Sequence, residues 1–437
     1  MKVLKFGGTS LGNSERIKNA VEIVLQESKA FVVLSAMSGT TNRLIDISDH
    51  VLKNNKQKAL KSAYKLQNQY HSVAKELLKE PEKAIEQINK YFAILENQIQ
   101  ASSKPYTEKH IVSFGELLST NLFYQYLKQN NIKSTLLNAT ELIRLNSKNE
   151  PEVEDIQSKL ENKIQLYNES RIFITQGFIC SDIEGNISNL GRGGSDYSAS
   201  LFGAALNADE IQIWTDIDGV QNNDPRIIDS TQPIRKLLFD EAAELAYFGA
   251  KILHPSCVLP AKENNIPVLL KNTLHPDDPG TSISKKTEGT GFKAVAARDN
   301  ITAIRIKSSR MLLAYGFLRK VFEVFEKYET PIDMITTSEV AVSLTIDNEI
   351  HLSEIIAELQ TYGTVSVSNN KTIVGIVGNI MAEEPGHAEK LFSALADIPI
   401  RMISYGASAY NMSILINTED KKRTLQALND NLFNRRK

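Results

Sequence analysis

Four short runs carry side chains able to handle phosphate or carboxylate. The first is Lys5-Phe6-Gly7-Gly8-Thr9-Ser10. Its glycines let backbone N–H groups approach phosphate oxygens, and a helix following the loop would point its positive end at them. Lys5 stands where an ammonium could reach a transferred group. The pattern GxxxxGK[ST] is absent, and no Gly-Lys dipeptide occurs. A Gly-Gly loop after a strand can also be a plain turn. The second run, Asn189-Leu190-Gly191-Arg192-Gly193-Gly194-Ser195-Asp196-Tyr197, sets an arginine among three glycines ahead of a helix start. A guanidinium offers a fork that fits a carboxylate or a phosphate. An N-cap role for Ser195 or Asp196 would explain one residue and leave Arg192 and the glycines unexplained.

The third run is Trp214-Thr215-Asp216-Ile217-Asp218-Gly219-Val220, followed by Asp224-Pro225-Arg226. Asp216 and Asp218 could bind a metal ion or form an ordinary Asp-Gly turn, and both readings stay open. The fourth is Phe248-Gly249-Ala250-Lys251-Ile252-Leu253-His254-Pro255. Lys251 lies among small and apolar residues, which favours a phosphate or adenine contact over a solvated charge. His254 reads as a capping or core residue. Among the seven histidines no Ser-His-Asp or Cys-His grouping stands out.

Strand-like segments must hold these runs. Residues 3–6 read as a strand, and a helix follows from Ser14 with Ile17, Ala20, Val21, Val24 and Leu25 on one face. Residues 31–34 read as a buried strand leading into a small-residue loop at 35–41. Residues 111–114, 172–175 and 210–214 read as further strands, each ending in small or polar residues. The order predicts an α/β fold with parallel strands, in which ligands bind beyond the carboxyl ends. Residues 51–104 are rich in Lys, Gln and Glu, and read as two or three polar-faced helices, a solvated insertion.

The texture changes near residue 285. Pro276, Pro279, Gly280, Gly289 and Gly291 crowd a polar stretch that reads as a linker. Beyond it, Pro331-Ile332-Asp333-Met334-Ile335-Thr336 is echoed by Pro399-Ile400-Arg401-Met402-Ile403-Ser404. Each copy follows an amphipathic helix (317–328 and 387–396) and precedes a strand (340–344 and 411–415). Two copies of a small α+β module are predicted.

The 437 residues call for two or three domains, and 42% hydrophobic content can build real cores. With 50 basic and 52 acidic residues the net charge is −2, without the basic excess that a nucleic-acid or membrane partner would favour. Cys180 and Cys257 form neither a metal spacing nor a disulfide framework, so a cytoplasmic setting is expected. There is no secretory h-region and no apolar run long enough to span a bilayer.

The motifs KFGGTS, SFGE, GRGGSDYSA, TDIDGV with DPR, and FGAKILHP occur in this order in aspartate kinases, which the chain resembles over nearly its whole length. GFLRKVFEVFEKY, TPIDMITTSEV and IRMISYGAS resemble the paired ACT domains of the same family. The resemblance implies an amino-acid kinase fold over 1–285, with 51–104 as a helical insertion. It also implies a linker over 286–300 and two ACT-type regulatory domains over 301–370 and 371–437, whose boundaries interleave. The implied reaction transfers the γ-phosphoryl of ATP, with Mg²⁺ across its phosphates, to the side-chain carboxylate of L-aspartate.

By the same resemblance Lys5 and Asp196 are catalytic, and Ser35, Ala36, Thr41, Glu116 and Arg192 hold aspartate. Lys5, Phe6, Gly7, Gly8, Thr215, Asp216, Gln221, Arg226, Lys251 and Ile252 contact the nucleotide. Gln221 stands where some members carry Tyr. Met311, Gly316, Phe317, Leu318, Ile332, Asp333, Thr337, Ser338 and Glu339 resemble the effector site of lysine-sensitive members, which implies inhibition by L-lysine. Arg401 replaces Asp333 in the second copy, so a cation is not expected there. A homodimer or larger assembly through the ACT domains and a monofunctional enzyme complete the expectation. A glutamate or acetylglutamate kinase, or a catalytically inactive amino-acid sensor, are the alternatives.

Overall fold

Apolar strands buried on both faces organise the first part of the chain. The computed structural model describes residues 1–101, 108–249, 255–286, 290–308, 315–380 and 384–433. It divides into two units: Met1–Val220 with Arg235–Phe239 and Leu253–Thr287, and Gln221–Ile234 with Asp240–Ile252 and Glu288–Lys437.

The strands of the first unit are β1 (Lys2–Phe6), β2 (Ala30–Leu34), β3 (Ser134–Leu136), β4 (Ile172–Gln176), the hairpin β5 (Ile179–Ser181) and β6 (Ile187–Asn189), β7 (Ile211–Thr215), β8 (Lys236–Leu238), β9 (Val268–Asn272) and β10 (Thr281–Ser284). All except the hairpin form one sheet in the order β3-β4-β2-β1-β7-β9-β10-β8. Every pairing in it is parallel except β9 with β10. All five residues of β2 are buried, as are Val3, Leu4 and Phe6 of β1. This explains their unbroken apolar character, because a parallel sheet is covered on both faces.

The helices of this unit are α1 (Ser14–Leu25), α2 (Thr40–Leu52), α3 (Lys56–Leu77), α4 (Glu82–Gln100), α5 (Glu108–Val112), α6 (Phe114–Gln129), α7 (Ala139–Leu142), α8 (Val153–Leu166) and α9 (Gly194–Ala205). Helix α10 (Phe239–Tyr247) lies almost wholly in the second unit, and α11 (Leu259–Glu263) in the first. The insertion is two helices, α3 and α4, and it is no plain solvated appendage. Ala59, Ala63, Leu66, Tyr70, Ile88, Phe92 and Leu95 join the same buried cluster as Leu4, Val32 and Ile174.

Two sequence expectations fail here. Residues 111–114 are helical, not a strand. A short apolar run cannot separate a strand from a buried helix, and the deciding spacing lies further on, in Phe114, Leu118 and Leu122, all buried. The expected linker over 286–300 contains half of a long strand, β11 (Gly291–Lys307).

In the second unit β11, β12 (Ile335–Thr337), β13 (Ala341–Ile346), β14 (Thr364–Asn379), β15 (Met402–Ser408) and β16 (Asn411–Asn417) make one sheet in the order β12-β13-β11-β14-β16-β15. Its helices besides α10 are α12 (Phe317–Lys327), α13 (Leu352–Leu359), α14 (His387–Ala394) and α15 (Lys421–Leu428). The repeat is real: helix, strand, strand, helix follows β11 and again follows β14. Its two cores are separate, one around Val321, Phe325 and Leu344 and one around Leu391, Ile414 and Leu425.

The long strands β11 and β14 serve both modules and shift register between Arg298 and Ala303. Asn300 (φ 61°) and Asn370 (φ 55°) take the left-handed conformation at this irregularity, which Asn tolerates better than most residues. Residues 221–234 and 240–249, read as part of 1–285, pack on this sheet. Val295 N–H bonds Asn222 O at 2.8 Å, Lys293 pairs with Glu241 at 2.7 Å, and Phe248 fills the space left by the missing side chain of Gly375.

Among the described residues no helix is long and apolar enough to cross a membrane.

Candidate active site

Strand β1 ends at Phe6, and the chain then makes a tight turn before α1. Gly7 N–H bonds Trp214 O at 2.9 Å, and Ser10 N–H bonds Gly7 O at 3.0 Å. A Cβ on Gly8 would stand 2.8 Å from Ala36 O, so only glycine lets the two loops meet there. Ser38 N–H bonds Gly8 O at 3.0 Å and locks the 35–41 loop to the glycine loop.

Lys5 points its ammonium into the cleft beyond the strand ends, where Nζ meets Asp196 Oδ1 at 2.5 Å. The two side chains are only 10% and 15% exposed. Asp196 reaches this place from the first turn of α9, after Gly191 and Gly193, both at φ 73°. Those left-handed turns strain any other residue. Asn189 Oδ1 accepts from Gly191 N–H at 3.1 Å and steadies the loop that presents Arg192.

Glu116 enters from the first turn of α6 and is buried. Its Oε1 accepts from Ala36 N–H at 3.2 Å, while Oε2 is buried with no hydrogen-bond partner. Burial pushes its carboxyl up to about 8, against the smaller opposing pull of the Ala36 amide and Lys5. A buried acid with one bonded and one open oxygen is suited to an incoming cation.

Lys5, Gly7, Gly8, Ser35, Ala36, Thr41, Glu116, Arg192, Asp196, Thr215 and Asp216 line one cleft of about 1410 Å³. That exceeds the ~300–1,000 Å³ of ordinary ligand pockets and leaves room for two substrates. Phe6 differs from the expectation: its ring is fully buried, stacked on Trp214 at 6.1 Å, so only its backbone can serve a ligand.

The two aspartates of the third run separate. Asp216 lines the cleft, whereas Asp218 accepts from Asn272 Nδ2 at 2.6 Å and leads into Gly219 at φ 99°, as an Asp-Gly turn does. Among the described residues no group of three or more His, Cys, Asp or Glu is arranged to hold a metal ion.

Gln221 and Arg226 belong to the second unit. Arg226 forks onto Asp224, with Nε–Oδ1 at 2.9 Å and Nη2–Oδ2 at 2.7 Å, and holds the Asp224 carboxyl below the usual range. Lys251, Ile252, His254 and Met311 lie outside the described residues.

In the second unit Gly316 takes φ 81° at the start of α12. Phe317 is buried, Leu318 is exposed, and Ile332 packs against the module core. Thr337, Ser338 and Glu339 are exposed at the turn into β13, where Ser338 N–H bonds Ala341 O. Asp333 and Arg401 occupy matching places. Asp333 N–H bonds Thr345 O, and Arg401 N–H bonds Leu415 O. The Asp333 side chain is only 4% exposed, whereas Arg401 is exposed.

Sequence reasoning missed Phe178 and Lys109, which also line the cleft. Phe178 has φ 66°, a costly conformation for a bulky residue, and Ser198 Oγ accepts its N–H at 3.0 Å. No local pattern marks either residue.

Comparison with known proteins identifies the family. The model "Amino acid kinase family" matches residues 1–272, and "ACT domain" matches 374–432. The chain is 33% identical over 450 residues to the lysine-sensitive aspartokinase 3 of Escherichia coli, covering 99% of each chain. It belongs to the aspartokinases of the amino acid kinase family. Two crystal structures of E. coli aspartokinase III are similar along the whole chain at 34% identity. The complex with aspartate and ADP (R-state) has a TM-score of 0.86, covering 99% of this chain and 100% of that one. The complex with lysine and aspartate (T-state) has a TM-score of 0.81, covering 99% of both. This aspartokinase therefore has the expected fold class, a mainly parallel kinase sheet followed by ACT-type structure.

Proposed function

We propose that this aspartokinase transfers the γ-phosphoryl group of ATP to the side-chain carboxylate of L-aspartate and is inhibited by L-lysine. The observation that carries the proposal is the convergence of Lys5, Glu116 and Arg192, from three distant segments, on one cleft. The acceptor carboxylate, with an ordinary pKa of about 3.9, is ionised at neutral pH, so no general base is needed. Catalysis then rests on in-line positioning and on stabilising charge at the phosphoryl oxygens.

Each residue has a task in this reading. Lys5, oriented by Asp196, stabilises the moving phosphoryl, and the amides of the Gly7-Gly8 loop take phosphate oxygens. Thr215, Asp216, Gln221, Arg226, Lys251 and Ile252 serve the nucleotide, and Phe6 does so through its backbone. Arg192 forks onto an aspartate carboxylate, Glu116 takes the α-ammonium, and Ser35, Ala36 and Thr41 complete that side. Mg²⁺ would arrive on the ATP phosphates and supply positive charge there.

In this reading the catalytic part is Met1–Val220 with Arg235–Phe239 and Leu253–Thr287, and the second unit carries two ACT-type modules that share β11 and β14. The effector pocket of the first module would use Met311, Gly316, Phe317, Leu318, Ile332, Asp333, Thr337, Ser338 and Glu339. A homodimer or larger assembly through these modules would give a light-scattering mass of at least two chains of 48.7 kDa. Cys180 and Cys257 are buried thiols, which suits a reducing cytoplasm.

The test is formation of a hydroxamate from aspartate, ATP and hydroxylamine, run beside glutamate and acetylglutamate. Product with aspartate alone is expected; product with another acid alone overturns the substrate assignment.

A further inference from the structure

Tyr70 lies on α3, in the stretch whose sequence suggests only a solvated insertion, yet it is fully buried. Its phenol oxygen lies 3.0 Å from Thr40 Oγ1. Thr40 lies in the 35–41 loop and opens α2. A buried hydroxyl is costly unless bonded, so a phenylalanine would suit a purely apolar position better.

Helix α6 also packs on the loop. Gly115 brings α6 so close that a Cβ there would stand 2.7 Å from Ala36 Cβ and 3.3 Å from Thr40 Cγ2. The front of the same loop faces the cleft. There Ala36 N–H bonds Glu116 Oε1, and Ser38 N–H bonds the glycine loop at Gly8 O.

We propose that Tyr70 is a positioning residue for the aspartate side of the site: its hydroxyl holds the 35–41 loop in the conformation in which Ala36 orients Glu116 and Thr41 faces the substrate. This rests on the aspartate kinase reading for its substrate, though the mechanical part stands on the loop alone. Tyr70 touches no reacting atom. It acts through Thr40, whose N–H bonds Met37 O at 3.0 Å.

The decisive variant is Tyr70→Phe, which keeps the ring and deletes the hydroxyl. The KM for aspartate should rise on the order of tenfold, the size of one lost hydrogen bond, while the KM for ATP stays within about twofold. The pH midpoint of the aspartate KM should move upward, because the amide that favours ionised Glu116 loosens. Hydrogen exchange at Ser38 and Thr40, whose amides bond Gly8 O and Met37 O, should quicken in the ligand-free chain, a readout independent of any substrate.

Thr40→Val removes the same contact from the loop side and should reproduce the KM split, which covers the case in which Tyr70→Phe folds poorly. Unchanged aspartate KM, pH midpoint and Ser38 and Thr40 exchange in a folded Tyr70→Phe chain would overturn the role while leaving the kinase reading intact. Failure of the wild type to phosphorylate aspartate would count against the kinase reading, and Ser38 and Thr40 exchange would still decide whether Tyr70 holds the loop.

Discussion

The phenol of Tyr247 donates to Asp333 Oδ1 at 2.9 Å, joining the end of α10 to the segment before β12. Arg298 Nη1 reaches the same oxygen at 3.1 Å, and its guanidinium also pairs with Asp347. Asp333 Oδ2 is buried without a hydrogen-bond partner. A cationic ligand would therefore meet one occupied oxygen and one open one. Lysine inhibits only to the extent that it binds the inactive arrangement more tightly than the active one.

In a titration with lysine, threonine and methionine, lysine alone should inhibit. Asp333→Ala should abolish the inhibition with little effect on kcat. Tyr247→Phe, which removes a competing donor, should lower the lysine concentration needed for half-inhibition. Equal inhibition of wild type and Asp333→Ala would remove Asp333 from the effector site.

Lys5→Met should keep the fold and lose turnover. Loss of one placed charge at a transition state costs about 2.7–4 kcal/mol, about 10²–10³ in kcat, by analogy with oxyanion donors. Asp196→Asn should lose less, because the ammonium at 2.5 Å from Asp196 Oδ1 remains present though less well oriented. Near-normal kcat in a folded Lys5→Met chain, checked by circular dichroism, would exclude Lys5 from phosphoryl transfer.

Arg192→Lys should raise the KM for aspartate strongly and leave that for ATP nearly unchanged. A point charge cannot replace the two parallel donors of a guanidinium. The reverse pattern in steady-state kinetics would reassign Arg192 to the nucleotide.

Glu116 predicts a pH dependence of both binding and stability. Its carboxyl is raised to about 8 in the folded chain from an ordinary 4.5. Between these values the folded state binds the extra proton, so stability of the ligand-free chain should fall as pH rises through this window. Glu116→Gln should flatten that slope in thermal melts taken from pH 5 to pH 8.5, a range set by the cited shift. The KM for aspartate should fall as pH approaches about 8, since the ionised acid is the form that pairs with an α-ammonium. A KM independent of pH would separate Glu116 from the substrate.

Much of the site could be read from local pattern. Lys5, Arg192 and Asp196 stand in glycine-rich loops at strand or helix ends, and the backbone demands of such loops leave a clear trace in composition. Glu116 was found through its motif, although the element carrying it was misread as following a strand. Asp216 and Asp218 could not be told apart, because the bond that commits Asp218 to a turn comes from Asn272, 54 residues away.

The sequence alone determined the α/β class, the order of the motifs, the duplicated module and the glycine-rich runs that line the cleft. Each depends on periodicity or on residue types adjacent in the chain, so each is encoded locally. Tertiary structure decided what depends on distant partners. It turned residues 111–114 into helix by burying them beside α2 and α6, and it extended β11 through the expected linker by pairing it with β14. It placed the phenol of Tyr70 behind the 35–41 loop and that of Tyr247 on Asp333. Hydrogen bonds between residues 30 and 86 positions apart leave no periodic signature, because their geometry exists only after the elements pack.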